Sequence, residues 1–181
     1  MLISLNLKFY WDHLTFFIIL FLVQLGSIVL IWLGEQISSL RITLEDHLTS
    51  EDVTLLSYSM PEQLWHWLKM NSSVTLASLI IEVKSNLHEV VKHSHSYRNV
   101  RSIVVRCTND ELLSTQRLTR SYAKIDGVFA DDTRLLIKVS VDLALFSEEL
   151  GDQKREDENN ELDAQRHYAR ALRFCAFARE L

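Results

Sequence analysis

The chain holds one proline, four glycines and two cysteines in 181 residues. So few turn-forming residues argue against a many-stranded sandwich or barrel. Cys107 and Cys175 cannot build a disulfide framework or a four-ligand zinc site. The scattered glycines form neither a phosphate-binding loop nor a dinucleotide fingerprint, and no serine sits in a nucleophile elbow. His88, His93 and His95 are spaced i, i+5, i+7, which suits neither one helix face nor a histidine pair of the zinc-protease type. Acid pairs such as Glu148-Glu149 and Asp131-Asp132 read as turn and capping residues. The expectation is therefore a non-enzyme with no catalytic residue, no metal and no cofactor. Disorder is excluded as well, because 48% of the residues are apolar and 24% charged, as in ordinary folded domains.

What the sequence has in excess is one apolar run. Leu14 to Leu33 reads LTFFIILFLVQLGSIVLIWL, with no charge and only Thr15, Gln24 and Ser27 as polar interruptions. A helix of that length would be about 30 Å long, the thickness of a bilayer's hydrocarbon core. Tyr10, Trp11 and Trp32 stand where interfacial aromatics are expected. A cleaved signal peptide fits less well, since the run is too long and IWLGEQ is a poor cleavage site. The reading is an uncleaved single-pass anchor in the inner (cytoplasmic) membrane. Lys8 and Arg41 flank it evenly, so charge does not orient it. Two cysteines and no secretion signature point to a cytoplasmic body. Gln24 and Ser27 would share one helix face, suited to self-association in a homo-oligomer or to lining a pore.

The expected fold class is α+β: a transmembrane helix followed by a small soluble domain with a few antiparallel strands and several helices. Residues 1–35 read as the anchor, 36–72 as a helical connector and 73–181 as the ligand-binding domain. Pro61 fits a first helical position before EQLWHWLKM, with a stop near Asn71. Ser73 to Lys92 carries apolar residues at three and four, predicting a helix, although its first half also tolerates a strand. SIVVRC, residues 102–107, predicts a buried strand, and Thr108 with Glu111 a capping box opening a helix to about Lys124. Asp126-Gly127 signals a turn. Thr133 to Leu145 alternates with period two, predicting a strand, with which Val128 to Ala130 could pair as a hairpin. Lys154 to Leu181 predicts a helix with acids at its start.

Charge is zoned. Net charge is −5 overall, yet residues 84–138 carry ten basic and six acidic side chains. An acidic chain with one basic zone is not a binder of double-stranded nucleic acid, but the zone suits a compact anion or an acidic partner. KHSHSYRNVR offers His95, Arg98 and Arg101 around Tyr97, and STQRLTRSYAK offers Arg117, Arg120 and Lys124 around Tyr122. Phosphates want guanidinium forks and bases want aromatic faces. The plainer alternative is a solvated face whose arginines pair with the acidic C-terminal helix.

In chain size and layout, LTFFIILFLVQLGSIVLIWL followed by a body containing KHSHSYRNVR and STQRLTRSYAK resembles the CRISPR-associated (type III) membrane effectors gated by cyclic oligoadenylate, of the small Vibrio type. That resemblance implies an antiviral effector, a tetramer whose cytoplasmic domain binds the second messenger cyclic tetra-adenylate and perturbs or permeabilises the lipid bilayer. It would place Arg98, Arg101, Arg117, Arg120 and Lys124 on phosphates, with Tyr97, Tyr122 and His95 on bases. The competing expectation is a bitopic scaffold or envelope-assembly protein whose soluble domain docks an acidic protein.

Overall fold

Ile28–Leu33 (IVLIWL) is an extended strand, β1, and all six of its side chains are buried. The structure, a computed structural model, describes residues 28–35, 38–82, 86–156 and 160–181. After β1 the chain alternates: α1 (Ser39–Thr49), β2 (Val53–Tyr58), α2 (Pro61–Met70), β3 (Leu76–Glu82), α3 (Leu87–Ser96), β4 (Ile103–Arg106), α4 (Leu112–Thr119), β5 (Ile125–Phe129) and α5 (Asp132–Glu156). A last helix, α6 (Glu161–Glu180), follows. The five strands form one all-parallel sheet in the order β2-β1-β3-β4-β5, a Rossmann-like, doubly wound arrangement.

Alternate residues of β1 feed two cores. Ile28, Leu30 and Trp32 pack with Leu40, Leu44 and Leu48 of α1, Leu135, Val139 and Leu143 of α5, and Phe174 of α6. Val29, Ile31 and Leu33 pack with Leu64, Trp67 and Leu68 of α2 and Val90 and Val91 of α3. Both faces are thus covered, which is why β1, β3 (LASLIIE) and β4 (IVVR) are apolar without alternation.

This architecture overturns the α+β class with its antiparallel strands and transmembrane helix. The last six residues of the expected membrane segment, Ile28–Leu33, are a strand between β2 and β3. A continuous apolar run satisfies a bilayer or a two-sided sheet interior equally, and chain pairing decides between them. The rest of that segment, with Gln24 and Ser27, lies outside the described residues. Among the described residues no helix is long and apolar enough to cross a membrane.

Thr133 to Leu145 is not a strand but the first half of α5. Its buried residues Leu135, Leu136, Val139, Leu143, Ala144 and Phe146 follow the helical period, while Val141 and Leu145 of the supposed core face are exposed. The Asp131 carboxylate accepts from the Arg134 N–H at 2.7 Å and opens the helix. Asp126-Gly127 is no turn; both residues lie within β5, which pairs in parallel with β4, so no hairpin forms there. The expected helix from Ser73 to Lys92 divides into β3 and α3, and the strand reading of its first half holds. Pro61 opens α2, which ends at Met70. The Glu111 carboxylate accepts from the Thr108 N–H at 3.0 Å and hydroxyl at 2.8 Å, but α4 begins only at Leu112 and ends at Thr119.

α6 is held to α1 by aromatic contacts and to the turn after α1 by ionic ones. His47 stacks on Phe177 with centroids 3.4 Å apart and meets Phe174 edge-on at 5.7 Å. Arg173 Nε donates to both oxygens of Glu51, at 2.9 and 2.7 Å, and Arg170 lies 3.8 Å from Asp52. Burial pushes the His47 imidazole below its usual 6.5, against the pull of Glu51 and Glu180. Burial and then Arg170 push His167 down as well. A lowered folded-state value means that stability is full above about 6.5 and is lost as pH falls from there through the folded value.

Two outcomes are expected. Leu30→Ala, in the centre of β1, lowers stability by about 2–5 kcal/mol in urea unfolding, whereas a residue inside a bilayer anchor would leave the body's midpoint unmoved. Wild-type protein loses stability between pH 7.5 and 5.5, with smaller hydrogen-exchange protection factors in α6 after correction for the intrinsic rate, and His47→Phe flattens that dependence.

Candidate functional site

In a doubly wound sheet, ligand crevices lie beyond the carboxyl ends of strands where successive connections leave in opposite directions. Here that point falls between β1 and β3, since β1 connects toward β2 and β3 toward β4. Gly34 follows β1 and Glu82 closes β3. Glu82 Oε2 accepts from the Glu35 N–H at 3.0 Å, and Glu82 Oε1 accepts from Arg106 Nη1 at the end of β4. The Arg106 fork also grips Asp132 at the start of α5, Nε to Oδ1 at 2.8 Å and Nη2 to Oδ2 at 3.1 Å. The hydrogen bonds it donates to Asp132 hold the guanidinium more firmly charged than usual, against its partial burial, and Glu82 adds to the effect. A methyl group at Gly34 would lie 2.6 Å from Glu82 Cβ and 2.9 Å from Trp32 Nε1, so only glycine fits.

One guanidinium between two carboxylates leaves this end net negative and its strongest donor already engaged. A free phosphate would have to displace Asp132 or Glu82 to reach Arg106. Cys107, beside it, has its thiol pushed up by burial, so it is no activated nucleophile. Among the described residues no group of three metal-ligating side chains converges. Glu82, Arg106 and Asp132 did not figure among the residues proposed from sequence. Their signal is position: LIIE, IVVR and VFADD each end an apolar run with a charged residue, which marks a strand's carboxyl end only once the runs are read as parallel strands.

The residues singled out from sequence lie at the opposite end, where α3 and α4 finish. His95 is in the last turn of α3, Tyr97 and Arg98 follow it, Arg117 is in the last turn of α4, Arg120 caps that helix, and Tyr122 and Lys124 lead into β5. The fold brings several of them together. Lys124 Nζ donates to the Tyr97 carbonyl, and burial lowers its pKa. Tyr122 and His88 share a hydrogen bond of 3.1 Å, and His95 meets the Tyr122 ring edge-on at 5.4 Å. His93 stacks between Trp65, 4.1 Å away, and Tyr97, 5.7 Å away, while the Tyr97 hydroxyl donates to the Trp65 carbonyl at 3.3 Å.

Arg101 is not part of this cluster. It pairs with Glu149 of α5 and lies 5.3 Å from the Phe146 ring centroid, which is the plainer ion-pair role at this position. Arg98, Arg117 and Arg120 are exposed, and no carboxylate among the described residues pairs with them. Part of their placement is helix electrostatics, because cations offset the carbonyl end of a helix, where Arg117 stands. Arg98 and Arg120 stand outside the helices proper.

Compared with family models, curated proteins and solved structures, the chain matches none.

Replacing Arg106 with Met leaves Glu82 facing the sheet's edge without its cation. The expected loss is about 2–4 kcal/mol, within or just below the range for a broken buried pair because Asp132 is partly exposed, read from the shift in the urea midpoint. An unchanged midpoint would show that the network contributes nothing to the fold.

Proposed function

We propose that the chain is a non-catalytic α/β recognition domain that binds a multiply charged anion on the surface formed by the ends of α3 and α4. The supporting observation is the contrast among its cations. Arg101, Arg106, Lys138, Arg166 and Arg173 each hold a carboxylate, whereas Arg98, Arg117 and Arg120, at or just after the ends of α3 and α4, are exposed with none among the described residues, as are Lys69 on α2, Lys92 within α3, Arg134 on α5 and Arg179 on α6. Unpaired guanidinium groups close to tyrosine and histidine suit phosphates carried on a base-bearing scaffold. The ligand assigned first is cyclic tetra-adenylate, with a phosphate in every nucleotide for arginines presented by a homo-oligomer. Arg101 is left out of the contact set, because binding through it would cost the Glu149 pair. Tyr97 and Tyr122 serve as walls more than stacking platforms, since histidines already face them. No membrane step belongs to this reading, because the end of the supposed anchor is β1.

Isothermal titration of the full chain against cyclic tetra-adenylate, with the linear tetranucleotide as control, tests the proposal. Binding should favour the cycle and weaken with salt. Arg117→Glu with Arg120→Glu should reduce affinity at least about tenfold, from the loss of charge-assisted hydrogen bonds, while Arg166→Glu leaves it unchanged. Absence of binding, or affinity indifferent to Arg117 and Arg120 in a folded variant, sinks the reading. Arginine-dependent binding of a polyglutamate peptide in its place would move the assignment to an acidic protein partner.

A further inference from the structure

The two edges of the sheet are unlike. On β5, Asp126 is ion-paired to Lys138 of α5, and the Phe129 ring lies across Gly127, where a methyl group would collide with it. Its pairing with β4 also shifts register between Ile103 and Val104. A charge, a glycine and a bulge are devices that keep an edge strand from adding another. β2 has none of them. VTLLSY pairs with β1 through all six residues without a shift, carries no charge or proline, and is only half-buried over residues 54–58. The Gly34 N–H donates to the Tyr58 carbonyl at 3.0 Å, with Tyr58 opposite Leu33. Thr54, Leu56 and Tyr58 therefore turn their backbone groups toward β1, while Val53, Leu55 and Ser57 turn theirs outward. Among the described residues nothing bonds those outward groups.

We infer that β2 is a dimerisation edge, on which a second copy of this chain lays its own β2 antiparallel with Leu55 on the twofold axis. The register follows from the outward groups. With Leu55 opposite Leu55 of the second copy, Val53 lies opposite Ser57, and all the outward N–H and C=O groups pair, in about six backbone hydrogen bonds. A twofold axis normal to the sheet also keeps like faces together. Val53 and Leu55, which pack on the α1 layer, lie on one side in both copies, and Leu56 and Tyr58 on the other. Charge selects the same occupant. No residue over 53–61 is charged, so a charged segment gains nothing there and a second copy meets no like charge. Asp52, just before the strand and exposed, falls opposite Tyr58, which holds the two Asp52 carboxylates roughly 20 Å apart along the ladder. β2 and α4 belong to opposite sides of the sheet, so the pair leaves the surface at the ends of α3 and α4 open, and the inference does not rest on the anion proposal.

Sedimentation equilibrium of the full chain across the micromolar range should show a reversible monomer–dimer equilibrium with no ligand added. Ser57→Pro blocks an outward nitrogen, keeps the bonds to β1, and replaces a hydroxyl that bonds nothing among the described residues. It should weaken dimerisation at least about tenfold, because both copies lose a hydrogen bond at once, with the far-UV circular dichroism unchanged. Cross-linking reads the register without that variant. In a background of Cys107→Ser and Cys175→Ser, Leu55→Cys should oxidise to a disulfide dimer, since paired Cα atoms stand about 5.5 Å apart, within a disulfide's span. Ser57→Cys should not, because its two copies lie about 13 Å apart along the ladder. A chain that stays monomeric, whether or not its β2 edge takes up an extended peptide of another protein, overturns the inference. So does an oligomer of any size indifferent to Ser57→Pro, or cross-linking through Ser57→Cys as ready as through Leu55→Cys.

Discussion

The burial of β1 on both faces is the constraint from which the rest of the molecule follows. Six consecutive apolar side chains, Ile28 to Leu33, pair in register with Val53 to Tyr58 on one side and with β3 on the other. Each such side chain buried contributes about 1.5–3 kcal/mol. Its alternate residues require a helix layer on either face. The right-handed crossover rule then sends α1 to one face and α2 and α3 to the other. The crevice between β1 and β3 is the geometrical consequence.

Charges complete this frame by tying its ends. At the carboxyl end Arg106 joins β3, β4 and α5 through Glu82 and Asp132. At the amino end Lys138 of α5 reaches Asp126 of β5 and Asp142 one turn on, and Arg101 reaches Glu149. Burial raises the Asp142 carboxyl, and Lys138 opposes that shift. α5 thus holds both ends of the sheet with its own charged residues, and α6 runs back along it to meet α1. The Tyr168 hydroxyl donates to Asp152 at 2.6 Å, closing α6 on α5 just after Gly151, where a side chain would collide with the Tyr168 ring. Among the described residues Arg98, Arg117 and Arg120 are exposed without a carboxylate partner at or just after the ends of α3 and α4, while Glu82, Arg106 and Asp132 meet at the strand tips.

Much of the local structure was legible from sequence. Pro61 marked α2 and IVVR marked β4, and of the basic and aromatic residues singled out between 92 and 124, Lys124 and Tyr97 prove to be in contact while Arg101 pairs elsewhere. Thr133 to Leu145 misled because Leu135, Val139 and Leu143 satisfy periods of two and of four together. The helix wins there because Leu136, Ala144 and Phe146 also need burial, which a strand would have turned outward. Arg101 misled in another way: its neighbours in sequence are cationic, but its partner Glu149 lies 48 residues away.

By itself, then, the sequence determined where the chain is apolar, where α2 begins, which segment is basic, and the absence of the standard nucleotide-loop and nucleophile motifs. Tertiary structure alone decided that IVLIWL is the sheet's interior instead of the end of a membrane helix, that the strands run parallel, and that Glu82, Arg106 and Asp132 meet. The reason is physical. Hydrophobicity specifies that a segment must leave water, but not what replaces the water, and that choice is made by strand pairing between residues distant in the chain.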